Sequence, residues 1–429
     1  MLKMPFCQVS FSWHGWVTLL AVILTTTVAA HADRTLPNGP PADSPHPLKV
    51  FVLAGQSNMQ GHAHVRTFDA MTLDPTTAPI LKEMRNADGT PLVCERVWIS
   101  SIGSSEEEQV GPLTVGYGAQ ERGPKIGPEF TFGIYTEQLL GEPILIIKTA
   151  WGGKSLHTDF RPPGAGPYKF SEAQLKEFEK QGKDIEAIRA ERATASGHHY
   201  RLMCDHVKMV LANIERVVPG YDSERGHELS GFVWFQGWND MVDRSVYPDR
   251  SDPGGYGEYS SLLAQFIRDV RKDLSAPKLP FLIGVMGVGG PIDQYSPEQQ
   301  RYQGVHRNFR TAMTAPAALP EFAGTVVAVP TAKYWDMEVV ALRARESSIQ
   351  PRVAAINEEV KDGRQSRAEG KAALDQLYAE TFDARELVVL KESTSNADFH
   401  YMGSAKIIGQ IGKAFAEALV ELVARHDRD

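Results

Sequence analysis

Five short runs of almost uninterrupted apolar residues punctuate the chain: residues 49–54 (KVFVLA), 143–149 (PILIIKT), 230–235 (SGFVWF), 280–286 (PFLIGVM) and 324–329 (GTVVAV). They lack the in–out alternation of a half-exposed strand, which is the pattern of parallel strands buried on both faces. Between them the apolar period becomes helical. Residues 128–140 open on Pro-Glu and stop at Gly141, suiting a helix start and end. Residues 201–218 align Leu202, His206, Met209, Val210 and Ile214 on one stripe, and residues 259–274 align Leu262, Phe266, Val270 and Leu274. The C-terminal segment repeats Ile408, Ile411, Phe415, Leu419 and Leu422 at the spacing of one buried face. Strands alternating with helices predict a single three-layer α/β/α domain with about five parallel strands.

Three stretches exceed that minimal pattern: 60–125, 156–200 and 334–395. Long insertions at the ends of buried strands shape binding sites as well as solvated surface. The N-terminus follows another logic. Lys3 is the only formal charge before Asp33, and residues 16–30 form an apolar or hydroxyl run that ends in Ala30-His31-Ala32. This predicts a signal peptide over 1–32, cleaved after Ala32, and a secreted or periplasmic protein. An uncleaved anchor is the rival reading, but the run falls short of the roughly 20 residues that span a bilayer. Residues 33–47 contain five prolines and no apolar period, so 33–48 reads as a linker and 49–429 as the single folded domain.

Composition narrows the class. With 42 % apolar and 23 % charged residues, the chain is globular. Its 45 basic and 53 acidic residues give −8, and losing Lys3 with the leader gives 44 − 53 = −9, which does not recommend a nucleic-acid partner. Three cysteines exclude a disulfide scaffold and a cysteine-rich zinc module. Without Cys7 the remaining pair, Cys94 and Cys204, is open to bridging or to two buried thiols.

In an open parallel sheet, ligands bind beyond the carboxyl ends of the strands. Four islands fall there: Gly55-Gln-Ser57-Asn-Met after the first run, Trp151-Gly152-Gly153 after the second, Gln236-Gly237-Trp-Asn239-Asp240 after the third, and Asn396-Ala-Asp398-Phe-His400 before the last helix. A serine nucleophile needs a base, a group orienting that base, and donors for the oxyanion. Ser57 at a strand-to-helix corner, the Asp398–His400 pair, the Gly152-Gly153 N–H groups and the amide of Gln236 or Asn239 supply those parts.

The block Gly55-Gln-Ser-Asn-Met59 resembles the first block of the SGNH-hydrolase superfamily, and more narrowly that of the sialate O-acetylesterase-like carbohydrate esterases (family 6). Gly127-Pro-Glu-Phe130, Trp151-Gly-Gly153, Trp234-Phe-Gln-Gly237 and the Asp-x-His pair follow in the family's order, so the resemblance spans residues 49 to the C-terminus. It implies a flavodoxin-like fold, no metal or cofactor, and an acetylated carbohydrate as substrate. Carried over, Ser57 is the nucleophile, His400 the base and Asp398 its orienter, in a two-step transfer through an acetyl-serine. The oxyanion hole would combine the Ser57 N–H, Gly152 or Gly153, and one amide. Many superfamily members carry Asp-x-x-His, whereas this chain has Asp-x-His, and where relatives often carry Gln-Gly-Glu it has Gln-Gly-Trp-Asn-Asp. Two registers follow, and Gln236 is preferred over Asn239 because it directly follows the apolar strand and matches the narrower family.

Trp151 and Trp238 beside these donors could stack on a sugar ring or pack in the core. His62 and His64 read as rim histidines and His198-His199 as solvated. Asp240 and Asp243 read as local caps, and Lys148 and Lys154 as solvated lysines that an acidic sugar would welcome. Two other functions stay open: a lipid or acyl-ester hydrolase on the same fold, and a non-catalytic carbohydrate-binding relative, which the intact Ser57, Asp398 and His400 oppose.

Overall fold

The computed structural model describes residues 46–426 except residue 106. The expected signal peptide and nearly all of the linker lie outside the described residues. These residues form the strands β1 (Leu48–Gly55), β2 (Ala63–His64), β3 (Val97–Gly103), β4 (Gln109–Pro112), β5 (Lys125–Ile126), β6 (Ile144–Ala150), β7 (His227–Phe235), β8 (Phe281–Val285) and β9 (Val326–Pro330).

Seven of them make one sheet in the order β4-β3-β6-β1-β7-β8-β9, and only the β3–β4 pairing is antiparallel. The five apolar runs are β1, β6, β7, β8 and β9. Their spatial order is 2-1-3-4-5 in order of appearance, the flavodoxin-like arrangement. β1 and β6 are buried along almost their whole length, as their continuous apolar character requires. β7 alternates between the two faces of the sheet. Phe232 and Trp234 pack on Phe266, whereas Phe235 packs on Phe415. Helix Gly257–Asp273 thus covers one face and helix Ala405–His426 the other, beside helix Glu129–Leu140.

The first insertion contains more sheet than its sequence suggested. β3 and β4 extend the main sheet past β6, and β2 pairs with β5 in a short antiparallel ladder. β3 (VWISSIG) is broken by Ser100 and Ser101, so it lacks an apolar run. Those serines are nevertheless buried, and Ser100 Oγ lies 2.9 Å from His206 Nε2. The second insertion forms helices Glu172–Lys180 and Ile185–Ala195, capped by Ser171 and Asp184. The third forms Met337–Lys361, Arg367–Thr381 and Ala384–Glu392.

One helix differs from expectation. The predicted 201–218 helix is His198–Leu211, followed by a separate 3-10 turn at Ile214–Arg216. Its buried face runs through Met203, His206, Val207 and Val210, leaving Leu202 and Met209 exposed. Cys94 and Cys204 are both free and buried, and burial pushes each thiol up to about 12. Among the described residues, no helix is long and apolar enough to cross a membrane.

Candidate active site

Register brings three of the four islands to one edge of the sheet. Gly55 at the end of β1 pairs with Ala150 of β6 and Phe235 of β7, so the segments that follow leave side by side. Gly55 cannot carry a side chain, because a Cβ there would stand 2.2 Å from the Phe235 carbonyl oxygen. Ser57 opens the four-residue helix Ser57–Gln60 and is 7 % exposed. Among the described residues nothing accepts its N–H, as at any helix start.

Gln56 fastens the neighbouring loop. Its Oε1 accepts the Gly237 N–H at 3.0 Å, and its Nε2 donates to Asn239 Oδ1 at 2.9 Å. That second bond decides between the two amides. With Oδ1 held, Asn239 keeps its NH₂ free on a half-exposed residue. Gln236 has no such freedom, because its Nε2 donates to the Lys154 carbonyl at 3.1 Å and to Asp240 Oδ2 at 2.6 Å. Its Oε1 accepts from the Tyr259 hydroxyl at 3.2 Å. Gln236 is thus engaged at both ends of its amide, and of the two residues Asn239 is the one whose NH₂ is without a partner among the described residues. Gly152 lies close to the serine, since a Cβ on it would be 3.8 Å from Ser57 Cβ. Its N–H donates to Ser104 Oγ at 3.0 Å, whereas Gly153 is exposed with φ +74°.

The fourth island arrives as a 3-10 turn, Asp398–Gly403, packed against the Ser57 helix. After His400, Tyr401 and Met402 take positive φ (52° and 59°), a conformation that costs non-glycine residues about 1–3 kcal/mol each. Buried contacts hold it. The Tyr401 hydroxyl accepts the Gly287 N–H and meets Thr331 Oγ1, both at 2.7 Å, and the Met402 carbonyl accepts from Ser395 and Asn396. His400 Nδ1 lies 3.0 Å from Asn396 Oδ1, which also accepts the Ala397 N–H. Nδ1 must therefore be the donor, leaving the Nε2 lone pair for a proton. Asp398, the expected orienter, instead pairs with Arg343 at 2.7 Å. One intervening residue points it away from the ring, and the partner at Nδ1 lies four residues upstream. Among the described residues no hydrogen bond joins Ser57 to His400.

His62, read as a rim histidine, is half-buried beside His400 and lines an open cavity with His64. Its ring stacks on His400 with centroids 3.8 Å apart. Burial lowers His400 to about 4. Burial, and then the charges of His400, Lys125 and Lys148, lower His62 to about 3. His64 caps the turn that follows it, accepting the Arg66 N–H on Nδ1. Among the described residues no three His, Cys, Asp or Glu side chains are grouped to hold a metal.

Several polar residues are scaffold. Asp240 is fully buried and accepts from the Leu156 and His157 N–H groups, Gln236 and the Tyr247 hydroxyl; burial raises its pKa. Asp243 caps Ser245 and lies 3.3 Å from His157 Nε2. Lys148 is buried, not solvated. Its Nζ donates to Glu129 Oε2 at 2.7 Å and to the carbonyls of Gln60 and Tyr117, fixing the end of the Ser57 helix. Trp151 packs in the core against Phe160 and the buried His199, which corrects both the sugar-stacking role and the solvated reading of His199. Trp238 is half-buried and meets the exposed ring of Phe399 at 5.7 Å. Phe399 touches His400 and went unnoticed in the sequence.

Fold and site together define a three-layer α/β protein with its polar cluster where the sheet order reverses beside β1. A family model described as "Carbohydrate esterase, sialic acid-specific acetylesterase" matches residues 47–326; the chain belongs to that family and is a carboxylic ester hydrolase. His400 lies beyond the matched residues. Among solved structures, a protein of Arabidopsis thaliana is similar at 18 % identity, covering 66 % of this chain and 86 % of that one, with a TM-score of 0.35. A carbohydrate acetylesterase from Xanthomonas citri is similar at 13 % identity, covering 66 % and 49 %, with a TM-score of 0.32. A search of curated proteins finds no match.

Proposed function

We propose that the chain is an exported serine esterase that removes O-acetyl groups from carbohydrates through an acetyl-serine at Ser57. The observation that carries this reading is His400: the Asn396 oxygen on Nδ1 leaves Nε2 as the proton acceptor, on a turn packed against the Ser57 helix. In this reading Nε2 takes the Ser57 proton while Oγ attacks the acetyl carbonyl. The tetrahedral oxyanion is met by the Ser57 N–H and the Asn239 amide, with Gly152 at the same rim. The proton passes from Nε2 to the departing sugar oxygen, and water repeats the cycle on the acetyl-enzyme.

Asp398 is a second candidate for orienting His400, reached only if it leaves Arg343. Trp238 and Phe399 offer the sugar an aromatic edge. Ser57→Ala is expected to abolish acetate release from acetylated sugars and from p-nitrophenyl acetate; full retention would refute the nucleophile. For export over residues 1–32, a secreted product beginning at Asp33 is expected from N-terminal sequencing.

A further inference from the structure

We infer that Ser104 is a positioning residue of the proposed esterase: its hydroxyl occupies the Gly152 N–H in the resting site and competes with the acyl oxygen for that donor. This rests on the reading of Ser57 as nucleophile and adds to it a residue from outside the four islands.

The sheet brings Ser104 there. β3 runs parallel to β6 with Gly103 opposite Ala150, so the residues that follow the two strands leave side by side. Gly103 permits that closeness, since a Cβ on it would lie 2.5 Å from the Ala150 carbonyl oxygen. The Gly152 N–H then donates to Ser104 Oγ at 3.0 Å, and the Ser104 hydroxyl donates to Gln60 Oε1 at 3.3 Å. With its proton turned to Gln60, Ser104 presents a lone pair to Gly152. Gln60 closes the Ser57 helix, and Lys148 Nζ holds its carbonyl at 2.8 Å. Nucleophile and hydroxyl converge on one glycine: a Cβ on Gly152 would stand 3.6 Å from Ser104 Oγ and 3.8 Å from Ser57 Cβ.

An N–H has one proton and one direction, so an acyl oxygen receiving it must stand where Ser104 Oγ stands now. The other two proposed donors differ. Neither the Ser57 N–H nor the Asn239 NH₂ has an acceptor among the described residues. Two donors are therefore open and one is taken. A neutral acetyl carbonyl accepts about as well as a hydroxyl, and Ser104 holds its place against it. Bonds to a charged oxygen are roughly twice as strong, so the oxyanion displaces Ser104. The contact thus weakens ground-state binding and leaves the donor to the transition state. The displaced hydroxyl has room, because Ser104 is exposed and lines a cavity of about 820 Å³ that also borders His62 and Asn396.

Steady-state kinetics of the full chain on p-nitrophenyl acetate provide the test. Ser104→Ala leaves Gly152 to water, which yields more readily than a fixed hydroxyl, so kcat/KM should rise about fivefold, carried by a lower KM. Ser104→Thr restores a hydroxyl and should return KM toward the unmodified value. Damage to the loop alone would raise KM or lower kcat, so the sign separates competition from a structural role. An unchanged kcat/KM in Ser104→Ala would show the Gly152 N–H idle in the reaction, and a fall would make the hydroxyl a support of the site. Either result overturns the inference. Ser57→Ala, measured alongside, reports on the esterase reading by itself: full activity there refutes the nucleophile. An inactive Ser57→Ala beside an indifferent Ser104→Ala refutes only the role of Ser104.

Discussion

The imidazole of His62 lies parallel to that of His400, with centroids 3.8 Å apart and planes within 1°. Asn396 touches both rings, through Oδ1 to His400 Nδ1 at 3.0 Å and through its NH₂ to His62 Nδ1 at 3.5 Å. The stack removes water from one face of the proposed base and disfavours its charged form. His400 is therefore ready to accept a proton well below neutrality.

The pH profile follows from that burial. A base must be neutral, so kcat/KM on p-nitrophenyl acetate should hold as pH falls through 6 and decline near the lowered His400 value of about 4. His62→Ala admits water to the ring and should move the acid limb up toward 6.5, whereas His62→Phe keeps the stack and should move it less. Native stability carries the same sign. Below 6.5 the unfolded chain binds protons that the folded imidazoles refuse, so stability declines between there and about pH 3–4. An acid limb at 6.5 in the unmodified enzyme would contradict this placement of the ring.

Orientation of the base separates two neighbours on one turn. Asn396→Ala removes the acceptor at His400 Nδ1 and should lower kcat by about 10²-fold, with KM little changed. Asp398→Asn removes only the ion pair to Arg343, an exposed contact worth ~1 kcal/mol or less, and should leave kcat within a few-fold. Steady-state kinetics with the reverse ranking would assign the orienting role to Asp398.

The two amides of the third island should fail in different ways. Asn239→Ala is expected to cost about 10²–10³ in kcat, with a smaller loss of stability than Gln236→Ala because only the Gln56 Nε2 contact goes with it. Gln236→Ala withdraws donors from the Lys154 carbonyl and the fully buried Asp240, and should destabilise the fold by about 1–3 kcal/mol. Kinetics and thermal melts on the two variants distinguish a donor to the oxyanion from a strut beneath it.

Much of this was legible in the chain because burial on both faces writes itself as a continuous apolar run. All five core strands and the islands after the first three could be read that way, since the next residues must emerge at the rim. β3 escaped because Ser100 and Ser101 are buried polar residues, Ser100 bonded to His206 and Glu108, and polar residues in a strand look like loop. The partner of His400 escaped because the chain turns between Asn396 and His400, the His400 N–H bonding the Ala397 carbonyl at 3.0 Å, and such a turn is not written in residue spacing. Asn396, four residues away, lands on the ring, while Asp398, two away, does not. The two amides were ranked by adjacency to a strand and by the family's pattern, but what separates them is their partners: Gln56 holds only the Asn239 oxygen, whereas Lys154, Asp240 and Tyr259 engage both ends of the Gln236 amide.

The buried pair Lys148–Glu129 ties stability to catalysis. Lys148 Nζ is shared among Glu129 Oε2, the Gln60 carbonyl that closes the Ser57 helix, and the Tyr117 carbonyl. Burial favours its neutral form, and the carboxylate opposes that. Glu129→Gln leaves the ammonium without its counter-charge inside the protein and should cost about 3–5 kcal/mol. Replacing both, as Lys148→Met/Glu129→Leu, removes the buried charge altogether and should cost less than the single change, although two carbonyls lose a donor. Urea titrations give the ranking directly. In the double variant kcat/KM should fall further than the folded fraction explains, because the Gln60 carbonyl is no longer held and the Ser57 helix loses its fixed end. A double variant as active as the unmodified enzyme would reduce the pair to a purely structural one.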